Sequence, residues 1–418
     1  MTVLTEVVAV AVIATAQSRV GPPVTIDGLH VLTNKRMRLS VWCLRVMAAL
    51  FGSTVALSQS SILQQSFDVQ VPWRPMPATI AGKKLLLYEM HLTNFAPTSL
   101  TLTRIQVVDS TGAVLNDLKD SELQGVMGRF DHVDRPTDKL TIPPGVHALA
   151  YLSVPLTLGA NPIGLTHRIE YQAAGNSDRA SVQGGAFTVD SEPPISIGPP
   201  LRGGPWVAIY DASWPHGHRR VTYAVQGSAH IPGRFAIDWI KVDKQGRYFV
   251  GDGSVVRDWY GYGAEVLAVS DSVVAATRDG VAESATLIKN PASIKLEDAS
   301  GNYVALDLGA GHYAFYEHLK PGSIRVKPND HVRRGSVIGL LGYTGESTGP
   351  HLHFHISDNN SPLNAEGLPY QERFTTLGSY PSIETFGKSQ PWSVAPATLD
   401  AQPSAEFPAP LTVVSFLD

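Results

Sequence analysis

Cysteine is almost missing from this chain of 418 residues: Cys43 is the only one. No intrachain disulfide can form, and a zinc site built on thiolates is excluded. Any bound metal would have to be held by His, Asp or Glu. Charge is sparse as well, at 17% of residues with a formal net charge of -4, and no basic run interrupts it. That argues against a nucleic-acid partner, which would need a cationic footprint. Long apolar runs are scarce too. A membrane-spanning helix needs about 20 apolar residues, and only Leu39–Leu57 comes near that length. What is plentiful is glycine, with 37 residues, and proline, with 30. That balance favours turns and short strands over long helices, and the length suits two or three domains at roughly 150 residues each.

Read in order, residues 1–36 carry little folding signal, and we read them as an upstream extension ahead of a start at Met37. Lys35, Arg36 and Arg38 supply positive charge, Val46 to Val55 is apolar, and Ala56-Leu57-Ser58 offers a small-residue cleavage site. Residues 37–58 therefore read as a signal peptide. The expected location is outside the cytoplasm, periplasmic or extracellular, with no stable membrane span after cleavage. Cys43 would be removed with the signal.

Residues 67–190 alternate in short segments, such as Lys84 to Leu92, Leu100 to Val108, Val146 to Val154 and His167 to Tyr171, divided by turn signals at Asp109 to Gly112 and Pro143 to Gly145. The spacing predicts an antiparallel β-sandwich that resembles an immunoglobulin-like domain, and no chemistry is expected from it. Residues 191–204, with Pro193-Pro194 and Pro199-Pro200, read as a linker, and residues 371–418 as a Pro-, Ser- and Thr-rich tail. Between them, residues 205–370 form a second β-rich region with a predicted hairpin around Gly309-Ala310-Gly311.

The chemistry gathers in that second region. In Gly349-Pro350-His351-Leu352-His353-Phe354-His355, strand alternation sends His351, His353 and His355 to one face and Leu352 and Phe354 to the other. Neutral imidazoles side by side on a strand suit zinc. Asp238 sits in the apolar strand Phe235-Ala236-Ile237-Asp238-Trp239, where a carboxylate needs a partner. His318 closes Tyr316-Glu317-His318-Leu319.

These motifs resemble the LytM/lysostaphin-type zinc metallopeptidases. Tyr316 to Leu319 is similar to their Tyr-x-His-Leu element, Val326 to Gly339 to a Val- and Gly-punctuated segment, and Gly342 to Phe354 to their Gly-x-Ser/Thr-Gly…His-Leu-His-Phe signature. The likeness covers about Gly204 to Tyr370. It implies an all-β architecture in which an N-terminal immunoglobulin-like β-sandwich precedes a LytM-type peptidase domain. It also implies a Zn2+ cofactor, with Asp238 and His353 as metal ligands. His318 and His351 would be the catalytic pair beside the water that zinc activates.

One ligand departs from the family pattern, which places a His four residues before the Asp; Arg234 stands there. His230 and His218 are alternatives for that one ligand, with His216 a further option. A hairpin turning near Ala229 would set residue 238 opposite residue 220 and put His218 on the face of Asp238 as a diagonal neighbour. His355 reads as a supporting or rim residue, and Trp259 to Gly263 as an aromatic turn that could line a cleft. The implied function is hydrolysis of peptide bonds in peptidoglycan by an exported zinc enzyme. The alternative is a catalytically inactive LytM-type domain that binds and regulates a cell-wall amidase or another envelope partner.

Overall fold

A computed structural model of the protein describes residues 64–130, 138–156, 164–287, 294–395 and 405–417. The expected extension and signal peptide, residues 1–36 and 37–58, lie outside the described residues. The chain from Gln65 to Asp418 belongs to one compact unit, and its regular structure is almost wholly strand.

Two five-stranded sheets form the N-terminal part. One is built on Lys83–Asn94 paired with His147–Leu156, the other on Leu100–Asp109 paired with Gly164–Ala173. Their alternating side chains meet in a common core that includes Leu86, Tyr88, Met90, Leu102, Ile105, Leu152 and Ile169. Alternation along each strand leaves one face for this core. In the first sheet the opposite face is also used: Leu87 faces the core of the second region, and Ala78 and Ile80 join it from the neighbouring strand.

The second region centres on one large sheet. Its main order runs Tyr370–Ser379, Thr412–Phe416, Trp206–Ile209, Ile237–Lys241, Leu352–Ser357, His312–Leu319, Asn302–Gly309 and Ser272–Arg278. Leu352, Phe354 and Ile356 are fully buried, and Phe354 packs between Tyr316 and Tyr370 at ring separations of 5.1 and 5.4 Å. The three apolar side chains fix which face of this strand is core, so His353 and His355 emerge on the other.

Three expectations are corrected here. The segment 371–418, read as a tail packed at most in part, contributes to the main sheet in its described part: Thr412–Phe416 is an interior strand, pairing Trp206↔Val414 on one side and Phe374↔Phe416 on the other. Residues 191–204 are not a free linker. Ile195–Ser196 pairs in parallel with Tyr370–Gln371, and Leu201 is fully buried. The hairpin ahead of Asp238 has a different register, because Tyr223–Val225 turns at Gln226-Gly227 and pairs with Ser228–His230. Asp238 instead lies opposite Ile209 and His353.

Candidate metal centre

Sheet register builds the site. Asp238 and Glu317 stand directly across from His353 on its two neighbouring strands, so all three side chains share a face. His353 Nδ1 lies 2.8 Å from Asp238 Oδ1. His351, just before the same strand, brings its Nε2 to 3.4 Å from that oxygen. The other carboxylate oxygen, Oδ2, is 3.2 Å from His218 Nε2. Desolvation acts to raise the carboxyl pKa of Asp238, but His218 and His351 outweigh it and hold the group well below its ordinary range.

Two of the histidines are oriented from behind. His351 Nδ1 donates to the Gly349 carbonyl at 2.7 Å, with Ser347 Oγ at 3.2 Å. His318 Nδ1 donates to the Thr344 carbonyl at 2.8 Å. A carbonyl only accepts, so in the neutral rings the proton sits on Nδ1 and Nε2 is bare. The two rings are 4.7 Å apart at their centroids. His318 is also held at a φ of +61°, a left-handed conformation that costs a residue with a Cβ and is found where surroundings enforce it. Burial and the neighbouring His351 and His353 push its pKa well below the usual value. For His351 burial acts downward, but Asp238 and the Gly349 carbonyl raise the net value.

His218 and Asp238 thus join His318, His351 and His353 in one cluster, and His230 does not. His230 Nδ1 is 3.0 Å from Glu366 Oε1 instead. His218 reaches the site by a route other than the expected hairpin, from the short 3-10 turn His218–Arg220. Arg234 is buried, and its guanidinium bonds Glu89 Oε2 at 2.7 Å and Glu366 Oε2 at 2.6 Å over the ring of Trp73. Glu89, in the N-terminal sheets, was not singled out from the sequence. That carboxylate interrupts the run Leu85-Leu86-Leu87-Tyr88-Glu89-Met90, the same signal that marked Asp238.

Glu317 was not singled out from the sequence either. Burial pushes its carboxyl up to about 8, and its Oε1 lies 3.8 Å from Nδ1 of His355, which is buried and stacks on Phe315. Trp259 lies in an apolar core with Tyr248, Phe386 and Val413, its indole NH donating to the Gly253 carbonyl. It presses on Gly349, where an added Cβ would come within 2.4 Å of the ring. Its role is to pack the loop behind His351.

Among the described residues three sets of three donor groups are each close enough to share one cation, and His353 belongs to all of them: His218, Asp238 and His353; His318, His351 and His353; and Glu317, His353 and His355. The first mixes two imidazoles with a carboxylate, a donor set found at catalytic zinc. A β-sheet scaffold carrying such a cluster defines the class as a candidate metallohydrolase. Residues 259–365 match the family described as Peptidase family M23, and the chain carries a peptidase domain of this LytM/lysostaphin type. His318, His351 and His353 fall within the matched stretch, while Asp238 and His218 precede it. Over 66 residues the chain is 44% identical to peptidoglycan DD-endopeptidase ShyA of Vibrio cholerae, covering 16% of this chain and 15% of that protein. It is 34% identical over 108 residues to lysostaphin of Staphylococcus staphylolyticus, covering 24% and 22%. With DD-carboxypeptidase/endopeptidase Mpg of Neisseria meningitidis it shares 42% over 64 residues, covering 15% and 14%. The alignments thus span less than a quarter of each relative's length.

Proposed function

We propose that this protein is an exported zinc metalloendopeptidase that hydrolyses peptide bonds of peptidoglycan. The observation that carries the reading is the placement of His218 and His353 against opposite oxygens of Asp238, with His318 and His351 alongside. The donor chemistry fits zinc. With its Nδ1 proton committed to Gly349, neutral His351 would present a bare Nε2 to a carboxylate oxygen, and two acceptors face each other stably only with a proton or cation nearby. His218, Asp238 and His353 would hold the metal. Zinc bound there would act as a Lewis acid on a scissile carbonyl and lower the pKa of a water.

The chain's own groups have separate tasks. The Gly349 and Thr344 carbonyls fix the two ring orientations, so that His351 and His318 each offer Nε2. One ring takes the proton from the attacking water at its bare Nε2 and passes it to the amine nitrogen as the peptide bond breaks, and the other, carrying a proton taken up from solvent, donates to the developing oxyanion. His318, whose pKa is lowered, starts neutral and suits proton acceptance. Peptidoglycan as substrate is supported by the likeness to the peptidoglycan DD-endopeptidase ShyA. Export is supported by the composition of residues 37–58 and by an extracytoplasmic substrate. Among the described residues no helix is long and apolar enough to cross a membrane. The N-terminal two-sheet region fits the immunoglobulin-like reading in its paired sheets and shared core. The non-enzymatic alternative drew on Arg234 at a ligand position, and His218 removes that ground.

The deciding experiment is digestion of purified cross-linked peptidoglycan by the zinc-loaded chain, with the released fragments identified by mass. Hydrolysis should stop on chelation, return with zinc and be lost in Asp238→Asn. Hydrolysis that survives both the chelator and the substitution would refute the proposal.

A further inference from the structure

His218 stands on an element that cannot hold itself in place. The turn His218–Arg220 is three residues long and has no side-chain cap, and so short a 3-10 segment is marginal without tertiary support. Its support comes from the N-terminal sheets. Arg219, next to His218, is 3% exposed. Its guanidinium donates to Glu89 Oε1 at 2.7 Å and to the backbone carbonyls of Tyr88 and Leu152 at 2.8 and 2.7 Å. Arg220 stacks over the Tyr151 ring at 3.9 Å and donates to the Gly125 carbonyl at 3.0 Å. Every one of these partners lies N-terminal to residue 157.

The second oxygen of Glu89 binds Arg234, on the turn Pro232–Phe235. One fully buried carboxylate therefore ties together two turns, the one that bears His218 and the one that leads into the Asp238 strand. The turns touch directly: a Cβ on Gly233 would fall 2.8 Å from that of His218 and 2.9 Å from its carbonyl oxygen, so only glycine permits the approach. Arg234 occupies the place where the family pattern has a ligand histidine. Its recruitment by Glu89 and the arrival of a histidine beside Arg219 belong to one arrangement.

We propose that Glu89 is a positioning residue for the metal centre: the N-terminal sheets, through the Arg219–Glu89–Arg234 cluster, hold His218 in reach of Asp238. The proposal rests on the reading of His218 as a ligand. It makes the N-terminal region a structural part of the site.

The test uses the full chain and two variants. Glu89→Gln breaks the cluster and leaves two guanidiniums without their charge partner. The triple variant Glu89→Leu with Arg219→Met and Arg234→Met removes all three charges, a change that buried ion clusters often tolerate without loss of stability. Zinc affinity is measured by competition with a chromophoric chelator, alone and in a His218→Ala background. Amide exchange over residues 217–221 is measured on the metal-free protein. Both variants should bind zinc about 10–100-fold more weakly, the range for supporting residues around a metal. Neither should weaken binding further once His218 is gone, and exchange over 217–221 should accelerate. Wild-type affinity in the triple variant, or losses that add to that of His218→Ala, would overturn the proposal. If the unaltered chain bound no zinc, the proposed function would fail while the exchange measurement still judged the positioning, unchanged protection over 217–221 counting against it.

Discussion

Replacing His218 by alanine should abolish zinc-dependent stabilisation, and replacing His230 should not. His218 Nε2 lies 3.2 Å from Asp238 Oδ2, whereas His230 pairs with Glu366. Zinc held by four protein ligands is worth about 10–16 kcal/mol, or roughly 3 kcal/mol per ligand and two orders of magnitude in affinity. With free zinc at about 100 times the wild-type Kd, binding stabilises the fold by about 2.7 kcal/mol. A hundredfold weaker site would retain only about 0.4 kcal/mol under the same conditions. Thermal or urea unfolding with and without zinc reads this difference directly. His218→Ala should lose nearly all of the zinc-dependent stabilisation. His230→Ala should keep it and lose at most about 1 kcal/mol from its partly exposed contact with Glu366. If His230→Ala abolishes the zinc effect and His218→Ala preserves it, the geometric argument is wrong.

Gly349→Ala should drive a methyl into Trp259 and displace the carbonyl that orients His351; turnover should fall at least tenfold while KM, read from the same peptide-release assay, changes less. Phe354→Ala should destabilise by about 3–5 kcal/mol in denaturant titration, the usual cost of emptying a fully buried aromatic position. Glu372 is fully buried with no hydrogen-bond partner for either oxygen among the described residues, and burial raises its pKa well above the ordinary value. A group whose folded pKa is raised contributes stability below its unfolded pKa and loses it as pH rises. Glu372→Gln should therefore flatten the decline in stability above about pH 4.5 by up to about 1.4 kcal/mol per pH unit. An unchanged slope in unfolding experiments at pH 5, 6 and 7 would show that Glu372 is not the group responsible.

The histidine strand was readable because strand period and core demand coincide: Leu352, Phe354 and Ile356 must be buried, and His353 then has one place to go. Asp238 was readable because an acid among apolar neighbours needs a partner. His218 was reached through the wrong register. The expected hairpin turns near Ala229 and sets residue 238 opposite residue 220, whereas Gln226-Gly227 makes a tighter turn and Asp238 pairs across to Ile209. Long-range pairing also hid the strand role of 412–416. Leu411 to Phe416 is a short apolar run after a Pro-rich stretch, and nothing nearby in sequence reveals that its partner begins at Trp206. Glu89 obeyed the rule that exposed Asp238 but lay in a region set aside as inert.

The interior position of Thr412–Phe416 bears on how the protein is made. Trp206–Ile209 and Tyr370–Ser379 keep open edges until that strand arrives between them, and the Asp238 strand is the next one in. A nascent chain cannot assemble this sheet progressively, because the strand that joins its parts is translated some two hundred residues after Trp206–Ile209, one of the two strands it pairs with. Pairings so distant in sequence form slowly, and exposed strand edges invite association in the meantime. Removing the strand by truncation, or capturing it with a fused tag, should leave the Asp238 side of the sheet unfinished even though every histidine of the site is present.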